Sequence, residues 1–214
     1  MRIVIRCSDA QREELESGDV QKGAELVWVF EKDALRQHKT ADAIIDLLFE
    51  NETANIALLQ EAQGVKIINS VIDTIPETDP QFIRINGWPT FLKGAVVEGS
   101  GGHEDLKKLA ATVFSQFGKS MEWLPDEVGF VVPRVVCMII NEAYFALEEG
   151  VSTKAEIDTA MKLGTAYPYG PFEWGEKLGL VTVAALLTKL SLHQKRYAPA
   201  PLLVQRVTGP QQLS

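Results

Sequence analysis

The sequence predicts an α/β domain with a mostly parallel sheet over residues 1–124, followed by an all-helical domain over residues 125–214. Two observations predict it. Through roughly the first hundred residues, short runs rich in Val and Ile alternate with helix-like runs, as strands buried by crossover helices require. Beyond Gly129 the strand-like runs stop, and long apolar segments with clear start and stop signals take over. A chain of 214 residues, 46% hydrophobic and 23% charged, has material for one large or two small domains with their own cores.

The elements follow in order. Arg2–Cys7 (RIVIRC) reads as the first strand and Ser8–Ser17 as the helix after it. Glu25–Phe30 (ELVWVF), Ala43–Phe49 (AIIDLLF), Val65–Ser70 (VKIINS) and Phe82–Asn86 (FIRIN) continue the sheet. Thr53–Gln63 is a second helix, and Gly18, Gly23 and Gly64 punctuate. Ala95–Val97 is a further apolar run ending at Glu98. The cluster Gly99-Ser100-Gly101-Gly102 predicts a flexible joint. Glu104–Lys119 repeats Leu106, Leu109, Ala110, Val113, Phe114 and Phe117 at helical spacing, and Met121–Leu124 closes the sheet.

In the helical part, Phe130–Glu148 is apolar almost all the way round, which predicts a buried central helix stopped by Gly150. Thr153 and Glu156 form a capping box for a helix ending at Gly164. Tyr167-Pro168-Tyr169-Gly170-Pro171 is a rigid turn that sets Pro171 at the first position of the next helix. Leu180–His193 is a last apolar helix, and Thr208–Ser214 a frayed polar tail.

A net charge of −8 argues against nucleic acid or an anionic membrane as partner. Cys7 and Cys137 set up no disulfide framework. His38, His103 and His193 lack metal-ligand spacing, so no metal is expected. No apolar window reaches the length of a membrane span, and the expected location is cytoplasmic.

From about Gly129 to Leu202 the run GFVVPR…NEA…LEEGV…EIDTAMKLG…YPYGPFEW…LGL is similar to the C-terminal domain of the L-3-hydroxyacyl-CoA dehydrogenases. The resemblance implies an NAD-binding Rossmann domain and then a helical domain that dimerises and closes over an acyl-CoA. The N-terminal part departs from it. A dinucleotide domain needs a glycine-rich turn after its first strand, yet RIVIRC runs straight into Ser8-Asp9-Ala10-Gln11, which holds no glycine. Asp9, Glu13 and Glu14 bring negative charge where a phosphate would sit. The domain is also short, and most of the family's first half looks deleted.

The family's catalytic set is incomplete as well. In RINGWPTFLKGAVVEG, Glu98 matches the family glutamate. The histidine position twelve residues earlier holds Asn86, or Ile85 if Pro89 is aligned instead; neither is a base near neutral pH. The family's SNTSS run matches Ile68-Asn69-Ser70-Val71-Ile72, and the asparagine of its GFIVNR motif matches Pro133 beside a retained Arg134. Trp88 is the aromatic placed to wall a substrate pocket at the domain interface. Arg84, Lys93 and Arg134 are the basic residues available for CoA phosphates.

Two expectations follow. The first is a family member that has lost NAD-dependent chemistry, needs no cofactor, and serves as an acyl-CoA-binding or assembly protein, dimeric through its C-terminal helices. The alternative is a working dehydrogenase that uses NAD through an atypical site built on Glu98 and His103.

Overall fold

A computed structural model describes residues 1–21 and 23–209 of the chain. The tail expected to fray from Thr208 lies, beyond Gly209, outside the described residues. Two compact units are present, Met1–Phe130 and Val131–Ser214.

The first unit is a seven-stranded sheet. Its strands are β1 (Arg2–Arg6), β2 (Glu25–Val29), β3 (Ala43–Asp46), β4 (Val65–Asn69), β5 (Phe82–Ile85), β6 (Val96–Ser100) and β7 (Ser120–Trp123). They lie in the order β2-β1-β3-β4-β5-β6-β7, and only the β5–β6 pair is antiparallel. Strand side chains alternate between faces, and the core divides accordingly. Ile3, Ile5, Ala43, Ile45, Val65, Ile67, Ile83 and Ile85 face one layer. It is covered by helices α1 (Asp9–Glu16) and α3 (Glu104–Ser115) through Leu15, Ala110, Val113 and Phe114. Val4, Ile44, Ile68 and Phe82 face the other, under α2 (Thr53–Gln60) and the 3-10 helix Lys32–His38. Both faces are therefore buried, which is why these strands read as unbroken apolar runs.

Two details correct the sequence reading. Gly99 and Ser100 belong to β6, and Gly101 and Gly102 form a packed turn rather than a flexible joint. Their φ angles are +85° and +67°, and a Cβ would lie 2.7 Å from Ile75 and 2.2 Å from Ile83. Glycine is required there by sterics. Arg84 is wholly buried, and its guanidinium is an internal clasp instead of a phosphate ligand. It pairs with the Asp126 carboxylate, donates to Ser70 O at 2.9 Å and to Glu127 O, and lies over the Phe130 ring. That clasp ties the loop through Phe130 to the sheet.

The second unit contains α4 (Val132–Glu148), α5 (Lys154–Thr165), α6 (Pro171–Leu178), α7 (Leu180–Ser191) and α8 (Pro201–Thr208). The capping box of Thr153 and Glu156 forms as the sequence indicates. Asp158, from the EIDTAMKLG run, accepts from the backbone N–H groups of Phe172 (2.8 Å) and Glu173 (3.2 Å), capping α6. A Cβ on Gly170 would fall 2.3 Å from that carboxylate, so the two motifs fit as one joint. Asn141 accepts from Ala200 N and donates to Ala198 O, fastening α4 to the segment before α8.

The central helix is not buried all round. Val136, Cys137, Ile140 and Tyr144 face inward, while Val131, Val132 and Val135 are exposed at 53%, 40% and 52%. Among the described residues, no helix is long and apolar enough to cross a membrane.

Candidate functional site

In an open, mostly parallel sheet, ligands bind outside the carboxyl ends of the strands where the strand order reverses. That point here lies between β1 and β3, because the chain passes from β1 to β2 on one side and then back to β3 on the other. The last residues of the two strands, Arg6 and Asp46, are register partners. Arg6 Nη1 donates to both carboxylate oxygens of Asp46 at 3.2 Å and to Leu48 O at 2.9 Å. Asp46 is fully buried, and burial pushes its carboxyl above the usual range against the opposing pull of Arg6.

The crevice is closed further by amides. Gln11, in the first turn of α1, donates from Nε2 to Leu47 O (3.2 Å) and Gly87 O (2.9 Å). Asn69 donates to Leu47 O and accepts from Gly87 N, both at 3.0 Å. The α1 N-terminus is itself occupied: Ser8 Oγ accepts from Gln11 N, and Gln11 Oε1 accepts from Ser8 N. Where a dinucleotide fold leaves a glycine turn and free N–H groups, this chain places a buried ion pair and a capping box. The sequence shows the missing glycines. It hides the pair, since Arg6 and Asp46 are 40 residues apart.

The candidate catalytic position lies one strand pair along. Asn86 Nδ2 donates to Glu98 Oε2 at 3.0 Å, and the Asn86 N–H donates to Glu98 O at 3.0 Å. Both side chains are buried. The residue at the histidine position and the matched glutamate are thus directly paired, and Asn86 is the partner; Ile85 is a core residue of β5. Asn86 also accepts from Trp88 N at 3.4 Å. Trp88, only 7% exposed, borders a small pocket of about 180 Å³ with Phe49, Asn51, Asn69, Ser70 and Val71. Those last three belong to the run matched with SNTSS.

The remaining candidates are Lys93, Arg134, Pro133 and His103. Lys93 is exposed on the turn beyond Leu92. Arg134, in the first turn of α4, lies over the Tyr197 ring at 5.8 Å and lines a groove of about 550 Å³ with Val135, Met138 and Ile139. Pro133 is the second residue of α4, where a missing N–H costs no hydrogen bond. His103 precedes α3 and lines a cavity of about 790 Å³ with Met1, Asp42, Lys66 and Gln81. These residues lie at the amino ends of β1, β3, β4 and β5, the opposite edge of the sheet from Glu98 and Asn86. Glu98 and His103 therefore do not form one site. Among the described residues, no group of His, Cys, Asp or Glu is arranged to hold a metal.

Comparison with known proteins gives this arrangement a context. Residues 129–211 match the family model described as 3-hydroxyacyl-CoA dehydrogenase, C-terminal domain. The 3-hydroxyadipyl-CoA dehydrogenase of Escherichia coli K12 is 47% identical over 105 residues, 48% of this chain and 22% of the relative. A probable 3-hydroxybutyryl-CoA dehydrogenase of Bacillus subtilis is 28% identical over 186 residues, 79% of this chain and 65% of the relative. Both matches span less than two thirds of the relative's own length. The crystal structure of (S)-3-hydroxybutyryl-CoA dehydrogenase from Ralstonia eutropha superposes with a TM-score of 0.71 at 22% identity, covering 96% of this chain and 93% of that one. That likeness establishes the fold: a Rossmann-type sheet domain followed by helices.

Proposed function

We propose, for a chain that belongs to the 3-hydroxyacyl-CoA dehydrogenase family, that it has left nicotinamide chemistry behind and serves as an acyl-CoA-binding or assembly protein. The observation that carries this reading is the filled switch-point crevice. Arg6 Nη1 pairs with Asp46 and donates to Leu48 O, and Gln11 donates to Leu47 O and Gly87 O, where a pyrophosphate would have to sit. The residues present do not fit a dinucleotide in that place. Asn86 points to the same conclusion, because an amide cannot take a hydroxyl proton. A positioned general base contributes about a hundred- to ten-thousand-fold in rate.

What remains suits binding. Trp88 offers an apolar wall beside the Asn86–Glu98 pair, and Lys93 and Arg134 are the cations we assign to CoA phosphates. A thermal-shift panel tests this, because a ligand that prefers the folded state raises the melting temperature by mass action. Butyryl-CoA or acetoacetyl-CoA is expected to raise it, Trp88→Ala and Arg134→Ala to blunt the rise, and NADH to leave it unchanged. Saturable NADH oxidation by acetoacetyl-CoA that disappears in Glu98→Gln would overturn the reading.

The same reading includes a homodimer through the C-terminal helices. Val131, Val135, Val181 and Leu192 expose apolar side chains on the helical unit, and exposed apolar surface of this kind favours a symmetric interface. Light scattering at micromolar concentration is expected to give twice the 23.6 kDa chain mass. A single-chain mass rejects the dimer.

A further inference from the structure

We infer that Glu14 of α1 is a positioning residue: its carboxylate occupies a backbone nest in the loop that carries Trp88 and sets the shape of the pocket beside Asn86 and Glu98. The inference rests on the reading of that pocket as a ligand site, and its geometry is independent of it.

The loop between β5 and β6 has neither helix nor strand to hold it, and it turns through an unfavourable backbone conformation. Thr90 has φ +78°, a region that non-glycine residues rarely enter. Such strain persists only where surrounding contacts over-determine it. Here Glu14 provides them, since its Oε1 accepts from Thr90 N at 2.6 Å and its Oε2 from Leu92 N at 3.1 Å. N–H groups gathered in a turn of this sort form a concave anion seat, and hydrogen bonds to a charged acceptor are the strong ones. Phe91 N closes the turn onto Trp88 O at 3.3 Å. One turn earlier in α1, Gln11 grips Gly87 O. From the far side Lys119 donates to Gly94 O at 2.9 Å. Leu92 is fully buried and anchors the tip.

Trp88 thus stands between two fixed points, Gly87 held by Gln11 and Thr90 held by Glu14. Helix α1, whose N-terminus would meet a phosphate in a dinucleotide-binding fold, instead uses its flank to brace this loop. The negative charge that argues against a phosphate near α1 has a purpose of its own at Glu14. The pocket wall is held by a side chain of the chain itself.

The experiment vacates the seat and refills it. In Glu14→Ala, which loses both hydrogen bonds to the loop, tryptophan emission is expected to shift to the red and butyryl-CoA to bind about ten-fold more weakly as the pocket wall loosens. Excess acetate is expected to restore both, while chloride at equal ionic strength does not. The emission change must vanish when Trp88→Phe is combined with Glu14→Ala, which assigns it to Trp88 over the other tryptophans. Glu14→Gln keeps one acceptor and is expected to give a smaller red shift; if Glu14→Ala fails to fold, an unmoved Trp88 emission in Glu14→Gln overturns the inference. A lower melting temperature with Trp88 emission unmoved and no acetate effect makes Glu14 merely structural and overturns the inference. If the wild-type protein binds no CoA thioester, the functional reading fails, while the emission and acetate results still decide the role of Glu14.

Discussion

Arg84→Met is expected to destabilise the sheet unit by about 1–3 kcal/mol, the cost of leaving enclosed carbonyl acceptors without their donor, since the Asp126 carboxylate keeps access to water. The reason lies in what the guanidinium leaves behind. Asp126 loses its cation, Ser70 O and Glu127 O lose donors, and the Phe130 ring loses the plane stacked on it at 4.3 Å. Burial lowers the Arg84 pKa while Asp126 pulls it back up, yet a guanidinium stays charged at any pH the protein meets. Relief by deprotonation is therefore closed to it. Lysine is a poor substitute, since its single ammonium cannot serve a carboxylate and two carbonyls in a planar fork. Urea denaturation of wild type, Arg84→Met and Arg84→Lys measures this directly. A loss near zero for Arg84→Met would mean that the loop through Phe130 is not held by the clasp. Restored activity or ligand binding is not the readout here, because Arg84 is too enclosed to meet a ligand.

Arg84 also shows where sequence reading reaches its limit. In FIRIN a single arginine in an apolar strand is equally a ligand and a clasp, because the deciding partners, Ser70 and Asp126, are remote in sequence. Strand assignment was legible for the opposite reason. Ile3-Val4-Ile5 and Ile83-Arg84-Ile85 place a buried side chain on each face, so both layers leave their mark locally. In the sequence Asn86 and Ile85 stand as alternatives about twelve residues before Glu98. The hydrogen bond from Asn86 to Glu98 could not be read from it, because it depends on the antiparallel pairing of β5 and β6. The glycine cluster misled because composition alone does not separate a loose joint from a turn too tight for a Cβ. Central helix α4 misled in another way: apolar residues surround it, but Val131, Val132 and Val135 are about half exposed. Helix α8 and the 3-10 helices Lys32–His38 and Ile75–Glu77 carried no period strong enough to read.

The other large effect is expected at the switch point, and its pH dependence identifies the charge responsible. Arg6→Met leaves Asp46 fully buried with its cation gone and removes the donor to Leu48 O. A loss of about 3–5 kcal/mol near neutral pH is expected. In the wild type, burial already raises the Asp46 carboxyl, with Arg6 opposing that rise. Without Arg6 it climbs further. A carboxyl whose folded pKa exceeds its unfolded one favours the fold while protonated, and that contribution is lost as pH rises through the folded value. The deficit of Arg6→Met should therefore shrink on acidification, being smaller near about pH 5 than near about pH 7.5. Replacing both partners, Arg6→Met with Asp46→Leu, should recover most of the stability, since a well-packed apolar pair can match a buried ion pair. Chemical denaturation across pH on the three proteins separates the possibilities. A deficit that does not change with pH would acquit Asp46, and a double variant as weak as Arg6→Met would locate the loss in packing. The expected pattern would make the pair an internal filling of the crevice, held by its own two charges where a dinucleotide-binding fold relies on glycine and open backbone.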